Sequence, residues 1–327
     1  MDWGSLFTNA AYEIISPTTA AYALAAMGLA VHFGYTGLLN FGQAGFMAVG
    51  AYGFAISTLT FGFPWWAALL TGIAASVVLA LILGIPTLRL RADYLAIVTI
   101  AAAEIVRLLF TTNTFAAVTG SAAGLSGYKT SWQAMNPIPA GNYNIGPWVR
   151  DHNEVWLLIV AWGLVGLAAL LIWLLMRSPW GRVIKGIRED EDAVRALGKN
   201  VYSYKMQSLV LGGAMGAFAG MVFVLPRSVQ PGNFQPTLTF FIYAILLLGG
   251  AATIFGPIIG SMIFWTLLSI FSGFTARAVE IGWLPFMTSL QAGQVRFILV
   301  GIALMVIVIY RPQGIFGSKK ELAFVKQ

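Results

Sequence analysis

Long runs without a charged residue dominate the hydrophobic pattern of the chain. One run extends over residues 14–88 and another over residues 228–276. Because a transmembrane helix needs about 20 mainly apolar residues, the first run can hold three spans and the second can hold two. Neither run alternates apolar and polar positions as the strands of a membrane β-barrel do. The pattern therefore predicts an all-α, polytopic integral membrane protein.

Nine transmembrane helices are predicted from this pattern. The second predicted span starts in a glycine-rich segment dotted with polar residues, so a re-entrant half-helix stays open as an alternative there. Polar segments at residues 113–153 and 177–205 interrupt the series. The approximate bounds of the nine spans are 18–33, 38–59, 64–86, 94–112, 155–176, 206–225, 237–248, 256–271 and 297–310.

Composition supports a membrane protein and excludes most soluble classes. Of the 327 residues, 58% are hydrophobic and 9% are charged, and the mean hydropathy is +0.80. Soluble domains carry about 25% charged residues, so a soluble enzyme or a nucleic-acid-binding domain is excluded. The chain has no cysteine and two histidines, and it lacks an H-E-x-x-H or phosphate-loop motif. We therefore predict no catalytic residue, no metal site and no nucleotide bound by this chain.

The distribution of Lys and Arg predicts the orientation of the chain. Of 19 basic residues, 13 lie in three segments, namely 89–91, 177–205 and the tail 311–327. The positive-inside rule places these segments in the cytoplasm. The N-terminus and residues 113–153 are then extracytoplasmic. The net charge of +7 is thereby explained by orientation and by a protein partner, without nucleic acid.

The segment 178–198 carries the most concentrated charge of the chain. Apolar Val183, Ile184 and Ile187 fall on one helical face, and acidic residues 189–192 then suit the positive end of a second helix. Gly198 suits the left-handed position that ends a helix. The segment therefore predicts two short cytoplasmic helices with a bend near Arg188, shaped to dock into a cleft of a cytoplasmic partner.

Two polar pairs are predicted within the membrane. Glu104 and Arg107 lie three residues apart and share a helix face. They either line a translocation pathway or form a structural ion pair, because an intramembrane carboxylate must be paired or face a cavity. Asn40 and Gln43 lie in the glycine-rich start of the second span. They either contribute to a substrate site or belong to a loop folded back on its own helices.

Glycines recur every four residues in the sixth predicted span, at Gly212, Gly216 and Gly220. Small residues at this spacing let helix backbones approach closely. We expect them to pack against helices of the same chain rather than to form a dimer face. His32 is expected to be a packed histidine with its hydrogen bonds satisfied, not a proton relay.

These motifs together resemble the membrane subunits of bacterial ABC importers for branched-chain amino acids, the LivM type more than the LivH type. The resemblance covers nearly the whole chain. It differs from the usual Thr-Gly-Gly of the family at Thr119-Gly120-Ser121, and the turn 249–253 has fewer glycines than is typical. The segments that carry the resemblance are 34–52, 88–94, 103–107, 178–198 and 310–317.

The resemblance implies a single transmembrane permease domain over residues 1–327, similar to the type II importer permeases, in the bacterial plasma membrane. Its implied partners are a second, LivH-like permease, two LivG/LivF-like ATPases that hydrolyse the ATP, an extracytoplasmic solute-binding protein and lipid. The pathway residues that the two polar pairs predict are Asn40, Gln43, Glu104 and Arg107. The implied ATPase-coupling residues are Trp180, Gly181, Arg182, Ile184, Ile187, Arg188, Glu189, Asp190, Ala193, Leu197 and Gly198.

Two alternatives to a branched-chain amino acid importer stay open at this point. Relatives of the same family handle urea or short amides, and the departures at residues 119–121 and 249–253 bear on the substrate. A stand-alone secondary transporter or channel would also explain an intramembrane Glu104 and a broken second span. The absence of a phosphate-loop motif requires any ATPase to be a separate chain.

Overall fold

The computed structural model describes residues 3–89, 92–283, 288–311 and 313–317, and most of these residues are helical. A π-helix, Ala30–Tyr35, continues α2, and an antiparallel hairpin is formed by β1 (Asn142–Ile145) and β2 (Trp148–Asp151). Within the described residues the α-helices are α1 Trp3–Glu13, α2 Pro17–Leu29, α3 Gln43–Phe61, α4 Trp65–Thr87, α5 Ala92–Thr111, α6 Ala116–Thr119, α7 Thr130–Gln133, α8 His152–Arg177, α9 Pro179–Glu189, α10 Glu191–Ala196, α11 Val201–Val224, α12 Pro236–Gly249, α13 Gly256–Glu280 and α14 Ser289–Tyr310.

Seven helical segments in the described part of the chain are long and apolar enough to cross a membrane. This confirms a polytopic helical membrane protein, whereas the predicted count of nine is not confirmed. The seventh predicted span corresponds to α12, whose 14 residues rise only roughly 21 Å. The ninth falls on α14, where the apolar stretch within the described side chains is short. The seven segments are Leu6–Tyr35, Gln43–Phe61, Trp65–Thr87, Tyr94–Thr111, His152–Arg177, Val201–Val224 and Gly256–Glu280.

Four predicted boundaries differ from the structure by five residues or more, and one of them is the start of α14 at Ser289 rather than at 297. The second span begins at Gln43 rather than at residue 38, because residues 37–42 are not helical and bond to neighbouring helices. Helix α11 begins at Val201 rather than at 206. The Asn200 side chain caps this start by accepting a hydrogen bond from the Ser203 amide at 3.1 Å. Helix α13 continues nine residues beyond 271 to Glu280. Hydropathy marks the apolar part of a helix and misses polar turns that extend it.

Helices α2, α3 and α11 form the centre of the bundle, and glycines allow them to pack closely. A Cβ on Gly212 would lie 2.4 Å from the Gly28 carbonyl oxygen, and one on Gly220 would lie 2.0 Å from that of Met47. On Gly216 it would lie 2.8 Å from the Gln43 side-chain nitrogen. The predicted packing of the three glycines within the chain is confirmed.

One end of the bundle, called here the hairpin end, is formed by α1, the hairpin and residues 113–141. The Tyr128 hydroxyl donates to the carbonyl oxygens of Val224 and Arg227 at 2.5 and 2.7 Å. Burial raises the pKa of the Tyr128 phenol, which keeps the hydroxyl protonated as a donor. A backbone bridge between Leu125 and Val229 adds a second tie. The polar segment is thereby fixed to the end of α11.

The opposite end, called the coupling end, brings together the described parts of the three basic segments. Arg89 lies over the ring of Tyr202 in α11, 5.5 Å from its centroid. The chain after α14 returns to the α12–α13 turn, where the amides of Ile315 and Phe316 donate to Leu248 and Gly249 at 2.9 and 3.0 Å. Leu90, Arg91, Pro312 and residues 318–327 of the predicted tail lie outside the described residues.

Candidate functional site

Helices α9 and α10 confirm the two short helices predicted for residues 178–198. Ser178 and Pro179 begin α9, and Gly198, with φ +75°, follows the end of α10 and donates from its amide to Arg195 O at 3.0 Å. The break falls at Asp190, two residues after the predicted bend. The Asp190 carboxylate accepts from the amides of Asp192 and Ala193 at 3.0 and 2.9 Å, so it caps α10 and ends α9.

The predicted ATPase-coupling residues divide between two faces of this helix pair. Gly181, Ile184 and Ile187 are buried against the bundle, and Trp180 is partly buried. A Cβ on Gly181 would lie 2.5 Å from the Leu175 carbonyl oxygen, which explains the glycine at the α8–α9 corner. These residues position the pair. The exposed ones are Arg182, Arg188, Glu189, Asp190, Ala193, Leu197 and Gly198.

Polar contacts anchor the helix pair to the bundle. The Trp180 indole donates to Gln207 Oε1 of α11 at 2.8 Å, and Glu191 forms an ion pair with Lys205 of the same helix. Arg188 donates to the carbonyl oxygen of Gly34 at 2.6 Å. The pair is therefore held against the ends of both α11 and the π-helix that continues α2.

Asn40 lies in the non-helical segment 37–42 between the π-helix and α3, where it is completely buried. Its amide nitrogen lies 2.9 Å from His32 Nδ1, and its side-chain oxygen accepts from the Gly42 amide at 2.8 Å. His32 Nε2 lies 3.1 Å from Leu209 O, which fits a neutral imidazole that carries its proton on Nε2. His32 is thus packed with both ring nitrogens partnered, as predicted.

Gln43, the first residue of α3, is also completely buried. Its side-chain nitrogen lies 3.3 Å from the carbonyl oxygens of both Ala25 and Gly212, so it bridges α2 and α11. Among the described residues no donor reaches its Oε1. We call His32, Asn40, Gln43, Thr36 and Ser208 the buried polar cluster; the last two share a hydroxyl contact of 2.7 Å.

Glu104 and Arg107 form the predicted pair on one face of α5. Arg107 Nε donates to Glu104 Oε2 at 2.9 Å, and a second bond joins Nη2 to Oε1 at 2.5 Å. Their side chains keep 34% and 21% of their accessible surface. Exposed Ile97, Ala101 and Leu108 lie seven and three residues before and four residues after Glu104, so they share its side of the helix. The pair is therefore partly exposed on the outside of the bundle. Asn40 and Gln43 instead lie together in its interior.

Three side chains that sequence reasoning missed form hydrogen bonds to the non-helical segment 37–42 and to the first turn of α3. The Tyr243 hydroxyl donates to Asn40 O at 3.0 Å. The hydroxyls of Thr99 and Thr239 accept from the amides of Phe41 and Ala44, each at 3.0 Å. They come from α5 and α12, far apart in sequence, and no local motif marks them. Their contacts enclose the segment within its own chain.

The described residues contain no group of three or more His, Asp or Glu side chains placed to hold a metal ion. The polar side chains instead form hydrogen bonds that fix helices to one another, or ion pairs that face outward. These hydrogen bonds can position helices and couple the movement of one helix to that of its neighbour.

A family profile described as the branched-chain amino acid transport system / permease component matches residues 12–309. The chain belongs to this family. The permease is 31% identical over 317 residues to the high-affinity branched-chain amino acid transport system permease protein LivM of Salmonella typhimurium, covering 92% of this chain and 69% of the relative. It is similarly related to the LivM protein of Escherichia coli, at 31% identity over 318 residues.

More distant relatives extend the comparison. A probable LivM protein of Methanocaldococcus jannaschii is 26% identical over 340 residues, with 91% of each chain covered. The autoinducer 2 import system permease protein LsrC of Photorhabdus laumondii is 28% identical over 145 residues, or 42% of this chain and 43% of the relative. Since these relatives are named as transport permeases, the permease belongs among transport components of ABC systems, as the resemblance of its motifs implied.

Proposed function

We propose that this permease is one of two membrane subunits of an ATP-driven importer of branched-chain amino acids in a bacterial plasma membrane. The observation that carries the proposal is the pair of capped helices α9 and α10 at one end of a LivM-like helical bundle. Their outward face combines Arg182, Glu189 and Ala193 with Leu197, whose side chain is 79% exposed. A cleft in a protein partner would cover Leu197 together with the charged side chains around it.

The docking partner on this face is a cytoplasmic ABC ATPase. Two such subunits, of the LivG/LivF type, hydrolyse the ATP, and this chain binds no cofactor of its own. The second membrane subunit is a LivH-like permease, and an extracytoplasmic protein delivers the solute to the hairpin end. With this orientation, α9, α10 and the C-terminal tail are cytoplasmic and the N-terminus is extracytoplasmic, which agrees with the positive-inside rule.

Glu104 and Arg107 are the residues of this chain that line the translocation pathway in this proposal. They are the polar pair that faces outward at membrane depth, and exposing a charged pair to lipid costs free energy. A water-filled path against the second permease satisfies both charges. Asn40 and Gln43, enclosed by their own chain, form the wall behind that path rather than its surface.

The proposal is tested by purification of the complex with co-expressed ATPases. Ala193→Asp together with Leu197→Asp adds two carboxylates to the outward face of α10, and we expect the ATPases no longer to co-purify. Val149→Asp is the matched control, since Val149 is 63% exposed at the hairpin end. Retention of the ATPases by the doubly substituted chain, or by a chain that lacks residues 178–198, would contradict docking at this site.

Uptake by the reconstituted importer tests the substrate. Proteoliposomes that contain both permeases, the ATPases and the binding protein should accumulate leucine, isoleucine or valine when ATP is enclosed with the ATPases. Accumulation of urea or short amides in preference would assign the alternative substrate. Movement of solute by this chain alone, without ATPases, would support a stand-alone transporter instead.

A further inference from the structure

Arg188 joins helix α9 to the end of the central helix of the bundle. Its Nη1 donates to the carbonyl oxygen of Gly34 at 2.6 Å. Gly34 lies in the last turn of the π-helix Ala30–Tyr35, where backbone carbonyls lack donors from within the helix. The guanidinium therefore provides a hydrogen bond and also a positive charge at the negative end of the helix dipole.

Gly34 and Gly37 shape the contact with Arg188. Gly37 has φ +76°, and a Cβ added to it would lie 3.4 Å from Arg188 Cγ, so the stem of the arginine rests on this turn. A Cβ on Gly34 would lie 1.8 Å from the Ala251 carbonyl oxygen. The end of the π-helix is therefore wedged between α9 on one side and the α12–α13 turn on the other.

The π-helix end continues directly into the buried polar cluster. The Leu38 amide donates to His32 O at 2.8 Å, and the Thr36 hydroxyl bonds to Val31 O and to Ser208, both at 2.7 Å. The side-chain nitrogen of Asn40 then lies 2.9 Å from His32 Nδ1. A displacement of Gly34 must therefore shift or break the hydrogen bonds that hold residues 36–42 in place.

Lys185 of α9 also approaches the π-helix, with its Nζ 6.0 Å from the centroid of the Tyr35 ring, but among the described residues it forms no hydrogen bond to the backbone there. The remaining contacts of α9 differ in kind from that of Arg188. Ile184 and Ile187 are buried by apolar packing, which tolerates sliding, and Trp180 bonds to a side chain of α11. Arg188 instead bonds to the backbone of the π-helix with an ionised donor. Such charge-assisted hydrogen bonds are roughly twice as strong as neutral ones. π-Helices also occur frequently at functional sites, since their hydrogen-bond pattern is easily altered.

We propose that Arg188 is a positioning residue that transmits the movement of α9 to the segment 36–42, and thereby links the state of the ATPases to the bundle centre. The inference rests on the proposed function, because ATPases bound to α9 and α10 supply the movement. When a helix pair moves as a rigid body, the elements packed against it switch between a few stable arrangements rather than deforming continuously. The bond between Arg188 and Gly34 is the connection through which α9 acts on residues 36–42.

The test uses the complete importer in proteoliposomes and measures solute uptake and ATP hydrolysis together. In Arg188→Ala we expect the ATPases to co-purify and to hydrolyse ATP, while the solute transported per ATP falls roughly tenfold, as loss of one charge-assisted hydrogen bond predicts. Arg188→Lys keeps the cation and should restore much of the ratio. Lys199→Ala is the matched control, because it removes an exposed cation at the same end and should leave the ratio unchanged.

A second readout follows the segment itself. The chain has no cysteine, so Leu39→Cys introduces a single partly exposed thiol into residues 36–42. In the importer with Arg188 intact, we expect the rate of maleimide labelling to differ between the nucleotide-free state and the state trapped with ATP and vanadate. In Arg188→Ala this difference should disappear, whereas a residue that only stabilises α9 would leave it unchanged.

The outcomes separate this inference from the proposed function. Unchanged transport per ATP and a retained labelling difference in Arg188→Ala would overturn the role of Arg188, as would loss of the ATPases from that variant, which would make Arg188 a docking residue. If Arg188→Ala does not accumulate in membranes, Arg188→Gln, which keeps a donor without the charge, carries the same comparison. Failure of the unsubstituted chain to bind ATPases would instead overturn the proposed function.

Discussion

The buried polar cluster and the Glu104–Arg107 pair both place polar side chains within the membrane-spanning bundle, but their surroundings differ. His32, Asn40 and Gln43 are completely buried and bond to groups of the same chain. Glu104 and Arg107 bond to each other and remain partly exposed on α5. His32, Asn40 and the side-chain nitrogen of Gln43 have their partners within the same chain. The exposed parts of Glu104 and Arg107 gain polar neighbours only when water or another subunit covers that side of α5.

This difference predicts which polar residues act mainly on stability and which act mainly on transport. A buried group with protein partners stabilises one arrangement of helices, and its removal leaves orphaned donors and acceptors. An ion pair on an outward face contributes little to the fold of the isolated chain. Substitutions in the cluster should therefore lower stability most, and substitutions in the pair should lower transport most.

The largest effect on stability is expected for Asn40→Leu. The substitution removes the partners of His32 Nδ1 and of the Gly42 amide, both buried, and should lower the free energy of unfolding by about 3 kcal/mol. Thermal unfolding of the purified permease in detergent, followed by circular dichroism, measures this. Asn144→Leu in the exposed strand β1 is the control and should change little. Equal unfolding temperatures for the two variants would show that the cluster does not stabilise the bundle.

A second comparison sets the glycines of α11 against one of α8. Gly220→Ala places a methyl group 2.0 Å from the Met47 carbonyl oxygen, and overpacking of this kind costs about 1–3 kcal/mol. Gly163→Ala meets nothing within 4 Å and should stabilise its helix by about 0.5–1 kcal/mol. The same chemical change should therefore have opposite signs in the two helices. Thermal unfolding of both variants measures it, and a common sign would contradict the packing described for α11.

The Glu104–Arg107 pair is tested by single and double substitution. Glu104→Gln should lower uptake about tenfold, which corresponds to about 1.4 kcal/mol, while the unfolding free energy changes by less than about 1 kcal/mol. The double variant Glu104→Gln/Arg107→Gln removes both charges. If the pair lines the pathway, its uptake stays low; if the pair is only structural, removal of both charges restores uptake. Uptake by the reconstituted importer, with stability measured in parallel, decides between these outcomes.

The sequence predicted the bundle well because hydropathy and helix caps act locally. The two helices at 178–198 were predicted from an apolar stripe, an acidic start and Gly198, each of which depends on residues within one or two turns. The small-residue packing of α11 was likewise predicted from a spacing of four. The predicted helix ends failed at Val201 and Glu280, where polar residues continue a helix beyond its apolar part.

The surroundings of the candidate site could not be predicted in the same way. Asn40 is enclosed by Tyr243 from α12 and by His32 from α2, and the sequence shows no relation between those positions. Arg188 reaches Gly34 across 154 residues of chain. Pairings at such separations follow from how the helices pack. The contacts that bear on a pathway or a structural role for Asn40 are therefore not visible in the sequence.

The smallest effect is expected at Ser121, close to the hairpin end of α5. Ser121 has φ +50° and is the non-glycine residue with a positive φ among the described residues. It stands where the family resemblance leads us to expect glycine. Its hydroxyl donates to Thr111 O and Asn113 Oδ1 at 2.7 and 2.9 Å. The hydrogen bonds therefore offset the strain of a left-handed conformation, which costs about 1–2 kcal/mol for a residue with a Cβ.

Ser121→Gly removes the strain and the hydroxyl bonds together, so the unfolding free energy should change by less than about 1 kcal/mol. Ser121→Ala keeps the strain and loses only the bonds, and should be less stable than Ser121→Gly by about 1–2 kcal/mol. Thermal unfolding of the two variants beside the unsubstituted permease measures this difference. Since the glycine variant relieves the backbone and the alanine variant cannot, an alanine variant as stable as the glycine one would show that the φ of Ser121 carries no strain.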